Sequence, residues 1–184
     1  MNYSLSAALV YVKSDLFRYS GRISLFLAIK EYFLNRSFKY TFWFRLAKVR
    51  SFPMRLIATL MHKRLSGRYG IQIPRVTEIG YGLYIGHHMC IVISSSAKIG
   101  NNCNLSQFLT IGSNHGKAAT IGNNVYIGPG VSLVEDIIVG DNAIIGAGAV
   151  VVKDVIENST VAGNPARVVS HKLPGRYIKN RWVV

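Results

Sequence analysis

Cysteine is scarce in this chain: Cys90 and Cys103 are the only two among 184 residues. Two thiols are too few for a disulfide framework or a zinc site, and no metal is expected. Both sit inside apolar-rich repeats, which predicts buried free thiols and suits a reducing, cytoplasmic setting. Acidic residues are also few, eight Asp and Glu against 22 Lys and Arg, for a net charge of +14. The N-terminus lacks a basic stretch followed by an apolar core and a small-residue cleavage site, so no signal peptide is expected. No uncharged run reaches the roughly 18 residues that a spanning helix needs; "ISLFLAI" (23–29) is bracketed by Arg22 and Lys30. Intrinsic disorder is excluded as well, because 49% hydrophobic residues and a mean hydropathy of +0.24 supply a core.

The charge divides the chain into two regions near Gly70. Residues 1–70 hold thirteen Lys and Arg against Asp15 and Glu31 alone, whereas residues 71–184 hold nine basic and six acidic residues. The first region reads as basic α-helices: "KSDLFRYSGRISLFLAIKEYFL", "FKYTFWFRLAKVRSF" as far as Pro53, and "MRLIATLMHKRL", with Gly67 and Gly70 as stops. At the other end, residues 169–184 form a basic tail punctuated by Pro174, expected to pack over the end of the preceding domain or to move freely.

Between these lies a period of six. Aliphatic residues recur at Ile79, Ile85 and Ile91, at Ile93, Ile99, Leu105 and Ile111, and at Ile121, Ile127, Leu133, Val139, Ile145 and Val151. Glycine follows eight of them. Neither a helical nor a simple strand period produces this pattern, which predicts a short-repeat parallel β-solenoid over residues 71–168. Three short strands would close each coil around an aliphatic column, with Gly or Asn at the corners. The period breaks twice. Ile91 to Ile93 slips by two residues just after the pair His87–His88, and "SNHGKAAT" (113–120) carries four extra residues. An insertion in a solenoid leaves as a loop, and such loops often bind.

The stretch "IGYGLYIGHHMCIVI", the hexads that follow and the closing "GAGAVVVKDV…AGNPA" resemble the hexapeptide-repeat acyltransferases. The likeness is to their serine acetyltransferase-like branch, and most of all to the O-acetyltransferases of polysaccharide gene clusters. It implies a mainly β fold, a left-handed parallel β-helix with an N-terminal α-helical region, assembled as a homotrimer. It also implies acetyl-CoA as co-substrate and a hydroxyl as acceptor.

An alcohol attacking a thioester needs a base for its proton and a donor for the developing oxyanion. The family's histidine base stands two residues after an inward aliphatic, which is Ile85 here and makes His87 the base; His88 would face the other way. His115, in the inserted loop, is expected at the acceptor site. The pantetheine arm of the co-substrate would run past Pro129, Gly146, Ala147, Val152 and Lys153 toward Arg167, with the two cations drawing its phosphates. Two departures bear on the acceptor. Serine acetyltransferases carry an aspartate where this chain has Gln72, fifteen residues before the base, and another where it has Gly86. A carboxylate is the natural partner of a free amino acid's ammonium group, so its loss at both places predicts a sugar hydroxyl, of a capsular or exopolysaccharide or its precursor. The alternatives are serine itself, as in cysteine biosynthesis, or a solenoid without catalysis. The basic helices of residues 1–70 are expected to cap the first coil and to touch an anionic membrane. They carry no known nucleic-acid-reading motif, and no nucleic acid is expected.

Overall fold

A computed structural model describes residues 3–183. Four helices precede the strands. Helix α1 (Leu5–Ser20) starts at Ser4, whose hydroxyl accepts from the Ala7 N–H, and stops at Gly21, where φ is 69°. Ser24 caps α2 (Leu25–Leu34) in the same way, and Asn35 caps α3 (Arg36–Leu46). The stretch 13–34 is thus two helices rather than one, because Gly21 takes the left-handed conformation that ends a helix. Helix α4 (Phe52–Tyr69) carries Pro53 in its first turn, where no N–H is missed, and runs through Gly67 to stop at Gly70.

The strands wind into a parallel β-helix with three faces. The first face stacks β1 (Ile71–Gln72), β4 (Ile91–Ile93), β7 (Thr110–Gly112), β10 (Ser132–Val134) and β13 (Val150–Val151). The second stacks β2 (Glu78–Ile79), β5 (Lys98–Ile99), β8 (Thr120–Ile121) and β11 (Ile138–Val139). The third stacks β3 (Tyr84–Ile85), β6 (Asn104–Leu105), β9 (Tyr126–Ile127), β12 (Ile144–Ile145) and β14 (Thr160–Ala162). There β15 (Arg167–Ser170) turns back antiparallel on β14 and closes the ladder.

All thirteen hexad aliphatics are buried, and they stack in register: Ile85 over Leu105, Leu105 over Ile127, Ile127 over Ile145. A second inward residue stands two positions earlier in each hexad, as with Leu83, Cys103, Val125 and Ala143. That rule resolves the slip at Ile91. Ile91 is the earlier inward residue and Ile93 the later one of a single strand, both buried. The two extra residues therefore lie in the corner before the strand, residues 86–90, which contains the histidines. Only Cys103 joins the core; Cys90 is exposed in this corner.

The first coil has no coil beneath it, so its strand edge would be left unpaired. Helix side chains take the place of the missing strand. Ser14 Oγ accepts from the Gly82 N–H (2.9 Å) and Asp15 Oδ1 from the Leu83 N–H (2.8 Å). The Tyr19 hydroxyl accepts from the Ile85 N–H (3.0 Å) and donates to the Ile85 carbonyl (3.2 Å). Arg45 donates to the carbonyls of Ile79 and Gly80, and Lys48 to that of Thr77. Arg45 also grips Asp15 through two nitrogens at 2.8 and 3.0 Å, with both side chains fully buried. Three of the thirteen cations, Arg18, Arg45 and Lys48, are thus inside the protein rather than solvated.

The tail runs back along the side of the solenoid instead of over its last coil. The Gly175 N–H donates to the Asn142 carbonyl, Asn104 donates to the Tyr177 carbonyl, and Asn102 exchanges two hydrogen bonds with the Trp182 backbone. Arg18 of α1 meets the tail at the Lys179 carbonyl, 2.9 Å away. The tail therefore straps the upper coils to the helical cap.

Candidate active site

The corners between the third and first faces form one edge of the solenoid. Three of them span three residues each between buried positions: Ser106–Phe108, Gly128–Gly130 and Gly146–Gly148. The first spans five, Gly86 to Cys90. The longer corner bulges outward, folded on itself by a hydrogen bond from the Met89 N–H to the His87 carbonyl (2.9 Å). His87 is exposed on it, and its ring makes no hydrogen bond among the described residues. His88 turns the other way and meets Tyr69 edge-on, with ring centroids 4.9 Å apart. Partial burial, with Arg36 and His87 nearby, lowers the His88 pKa and favours its neutral form.

Tyr19 holds both polar backbone atoms of Ile85, two residues before His87, so helix α1 fixes the strand from which the histidine corner departs. His87 opens onto a cleft of about 210 Å³ lined by Tyr84, Gly86, Asn104, Gln107, Tyr126 and Pro129, among others. No carboxylate lines it. Asn104 is positioned from both sides, accepting from Arg18 (2.6 Å) and donating to the Tyr177 carbonyl (3.2 Å). The opposite coil neighbour, Gln107, is legible once the register of Ile85 on Leu105 is known, since it stands two residues past Leu105 as His87 does past Ile85. Tyr84, Asn104, Ser106 and Tyr126 are site residues that sequence reasoning missed; they occupy ordinary hexad positions and carry no signal of their own.

The expected site residues fall into groups. Gly86, His87 and Pro129 share the cleft, and Gly146 and Ala147 continue the same edge one coil further on. The corners Gly128–Gly130 and Gly146–Gly148 bear nothing larger than a proline ring, and Gly130 and Gly148 take φ of 69°. The strip leaves room beside the cleft, but the N–H groups of Gly128, Gly130, Gly146 and Gly148 are taken by the carbonyls of Ile145, Gln107, Val161 and Pro129, which leaves the Ala147 N–H as its donor among the described residues. Val152, Lys153 and His115 lie across the first face, at its other edge, while Gln72 sits on that face in β1. A three-residue strand at about 3.3 Å per residue separates the two edges by roughly 10 Å or more. Gln72 makes no hydrogen bond with either histidine of the first corner. Arg167 is exposed at the start of β15, where it pairs with Ala162, and its guanidinium donates to the neighbouring Ala166 carbonyl.

The loop that bears His115 is held by Glu135. The Ser113 hydroxyl donates to Glu135 Oε2 (2.6 Å), the Asn114 N–H to Oε1 (3.1 Å), and His115 Nδ1 lies 3.2 Å from Oε2. The Ser113 and Asn114 bonds, with His115 beside them, hold the Glu135 carboxyl down at about 2. Glu135 itself takes a positive φ of 65°, a conformation that normally selects Gly or Asn. The His115 side chain is otherwise largely open to solvent, with 85% of its surface exposed.

The family model "Bacterial transferase hexapeptide (six repeats)" matches residues 118–153. Serine acetyltransferase 5 of Arabidopsis thaliana is 36% identical over 121 residues, 63% of this chain and 38% of the relative. The serine acetyltransferase of Synechococcus elongatus is 36% identical over 104 residues, 54% of this chain and 43% of that protein. Among solved structures, the Neisseria gonorrhoeae serine acetyltransferase in complex with serine is 30% identical with a TM-score of 0.71, over 88% of this chain and 69% of that one. The soybean apoenzyme gives 28% and 0.74, over 89% and 69%. The chain belongs to the hexapeptide-repeat transferase family, as a homologue of serine acetyltransferases. It shares their left-handed β-helix and preceding helices but spans less than half the length of the curated plant relatives it matches. None of these relatives is named for a polysaccharide.

Proposed function

We propose that this protein is an acetyl-CoA-dependent O-acetyltransferase with His87 as its general base. The observation that carries this reading is the widened corner, which sets His87 at the mouth of a cleft beside a strip of open main chain. His87 takes the acceptor's hydroxyl proton as the oxygen attacks the thioester carbonyl, and returns it to the departing thiolate. The two histidine-bearing edges lie apart in one chain, so a site that uses both needs the edge of a second copy. A homotrimer supplies that arrangement, with Lys153 and His115 coming from the neighbour.

The names of the relatives favour serine as acceptor over a sugar. One observation favours a neutral hydroxyl: the cleft has tyrosine and amide side chains but no carboxylate for an ammonium group. A glycan hydroxyl fits that lining, with Asn104 and Gln107 as hydrogen-bonding partners. Contact of residues 1–70 with an anionic membrane belongs with this reading, because lipid-linked glycan precursors lie at such a surface. The test is thiol release from acetyl-CoA, with L-serine and with a panel of bacterial surface oligosaccharides, each product weighed for one added acetyl group. Turnover of serine alone establishes the serine reading; acetylated sugar without serine turnover establishes the glycan reading.

A further inference from the structure

Helix α2 buries none of its ten residues, although its sequence is almost wholly apolar. Leu25, Phe26, Phe33 and Leu34 are 79, 75, 69 and 75% exposed, and Ile29 joins them at 51%. On a helical wheel these five occupy one half of the helix, together with Lys30. The opposite half leans on α1 and α3 through Ala28 and Tyr32, and Leu25, Ile29 and Phe33 join these two in lining an apolar groove of about 400 Å³ over Phe38, Phe42 and Trp43. A face of this size left in water is unfavourable, and exposed apolar patches of this kind mark interaction surfaces.

The charges around it identify the occupant. Arg22, Lys30 and Arg36 are exposed on or beside α2, and Lys39 lies against the rings of Tyr32 and Phe33. The only carboxylates of residues 3–70 are unable to oppose them: Asp15 is buried against Arg45, and Glu31 is partly covered and bonded to Asn35. A second copy would present the same cationic rim to this one. An anionic lipid surface offers both the apolar layer for the aromatic and aliphatic side chains and the negative charge for the rim.

We infer that α2 is a membrane-docking helix, lying in the plane of an anionic bilayer with Leu25, Phe26, Ile29 and Phe33 among the acyl chains. Arg22, Lys30 and Arg36 then meet the headgroup phosphates. The inference deepens the membrane contact of the glycan reading, but the surface itself depends on neither acceptor nor turnover. The test is co-sedimentation of the full-length protein with vesicles of phosphatidylcholine alone and with about 30% phosphatidylglycerol, at low and high salt. The expected result is at least about tenfold stronger partitioning to the anionic vesicles, weakened by salt, and a loss of at least about tenfold in the double variant Phe26→Ser, Phe33→Ser. Arg22→Glu with Lys30→Glu should abolish the preference for anionic lipid. Turnover of a water-soluble acceptor should be unchanged in all variants, which separates failure of docking from failure of the enzyme. Two outcomes overturn the inference: vesicle binding that ignores both double variants, or a serine pair that alters only the oligomeric state in solution.

Discussion

The helical cap and the solenoid differ in what they bury beside their apolar side chains. The solenoid's core is a column of Ile, Leu, Val and Ala with Cys103, whose thiol burial pushes up to about 12. The cap has apolar clusters too, around Ala8 and Val49 and around Leu16 and Phe38, but beside them it buries Asp15, Arg18, Arg45, Lys48 and His62. The difference comes from what each must satisfy. A coil in the middle of the stack finds its hydrogen bonds in the coils on either side, so its interior can be purely aliphatic. The first coil has a neighbour on one side only, and the cap must supply donors and acceptors for the other. A helix surface does this with long side chains, and the charges follow.

That contrast makes graded predictions. The largest effect is expected at the Asp15–Arg45 pair, where Asp15→Ala strands a buried guanidinium and leaves the Leu83 N–H unpaired. The loss should be about 3–5 kcal/mol in urea unfolding. Ile127→Ala in the solenoid should cost about 2–5 kcal/mol from lost burial and a residual cavity, with little dependence on pH because no titratable group is involved. Equal sensitivity of the two variants to pH would break the comparison. Tyr19→Phe removes the hydroxyl that serves both polar atoms of Ile85, and should cost about 1–3 kcal/mol. It should also lower the rate of transfer, since the histidine corner begins there.

The cap should also titrate where the solenoid does not. Burial, with Arg45 nearby, lowers Lys48 to about 7 from an ordinary 10.5. Between those values the unfolded chain holds a proton that the folded one has lost, so raising the pH from about 7 to 10.5 should stabilise the fold. Lys48→Met should flatten that rise. His62, pushed by burial to about 4 from 6.5, gives a matching loss of stability as the pH falls through that window. Both are read from urea midpoints across pH. The smallest effect belongs to the His115 loop. Glu135 is depressed to about 2 from 4.5, so its hold on Ser113 and Asn114 is complete above pH 4.5 and fades as the pH falls toward 2. Protection of the Asn114 amide, read as its exchange relative to the intrinsic rate at each pH, should fall in that window, and Glu135→Gly should remove it at all pH values while sparing the backbone conformation.

The same division governs what is legible in the sequence. A solenoid repeats one local solution, so Ile79 through Val151 announce their places by spacing alone, and the departure at residues 86–90 is visible against them. The six-residue register therefore separates His87 from His88, although it sets the two extra residues just past the corner that they form. The cap repeats nothing. Ser14, Asp15, Arg18 and Tyr19 look like an unremarkable polar face of a helix, and their role depends on a strand edge some seventy residues away. Glu135 is hidden for a similar reason, since its partners lie on a loop one coil earlier. The path of the tail is equally hidden, because Asn102, Asn104 and Asn142 resemble the other corner asparagines until Trp182, Tyr177 and Gly175 are laid against them.

The central claim is that the widened corner exists to present His87 as a base. Its most direct test is the rate of acetyl transfer by purified His87→Ala, measured by thiol release with whichever acceptor the wild-type protein uses. His87 is exposed and its ring bonds none of the described residues, so the variant should fold with an unchanged melting temperature. A fall of at least about a hundredfold in rate is expected. A variant that transfers acetyl as fast as the wild type would contradict the role assigned to His87.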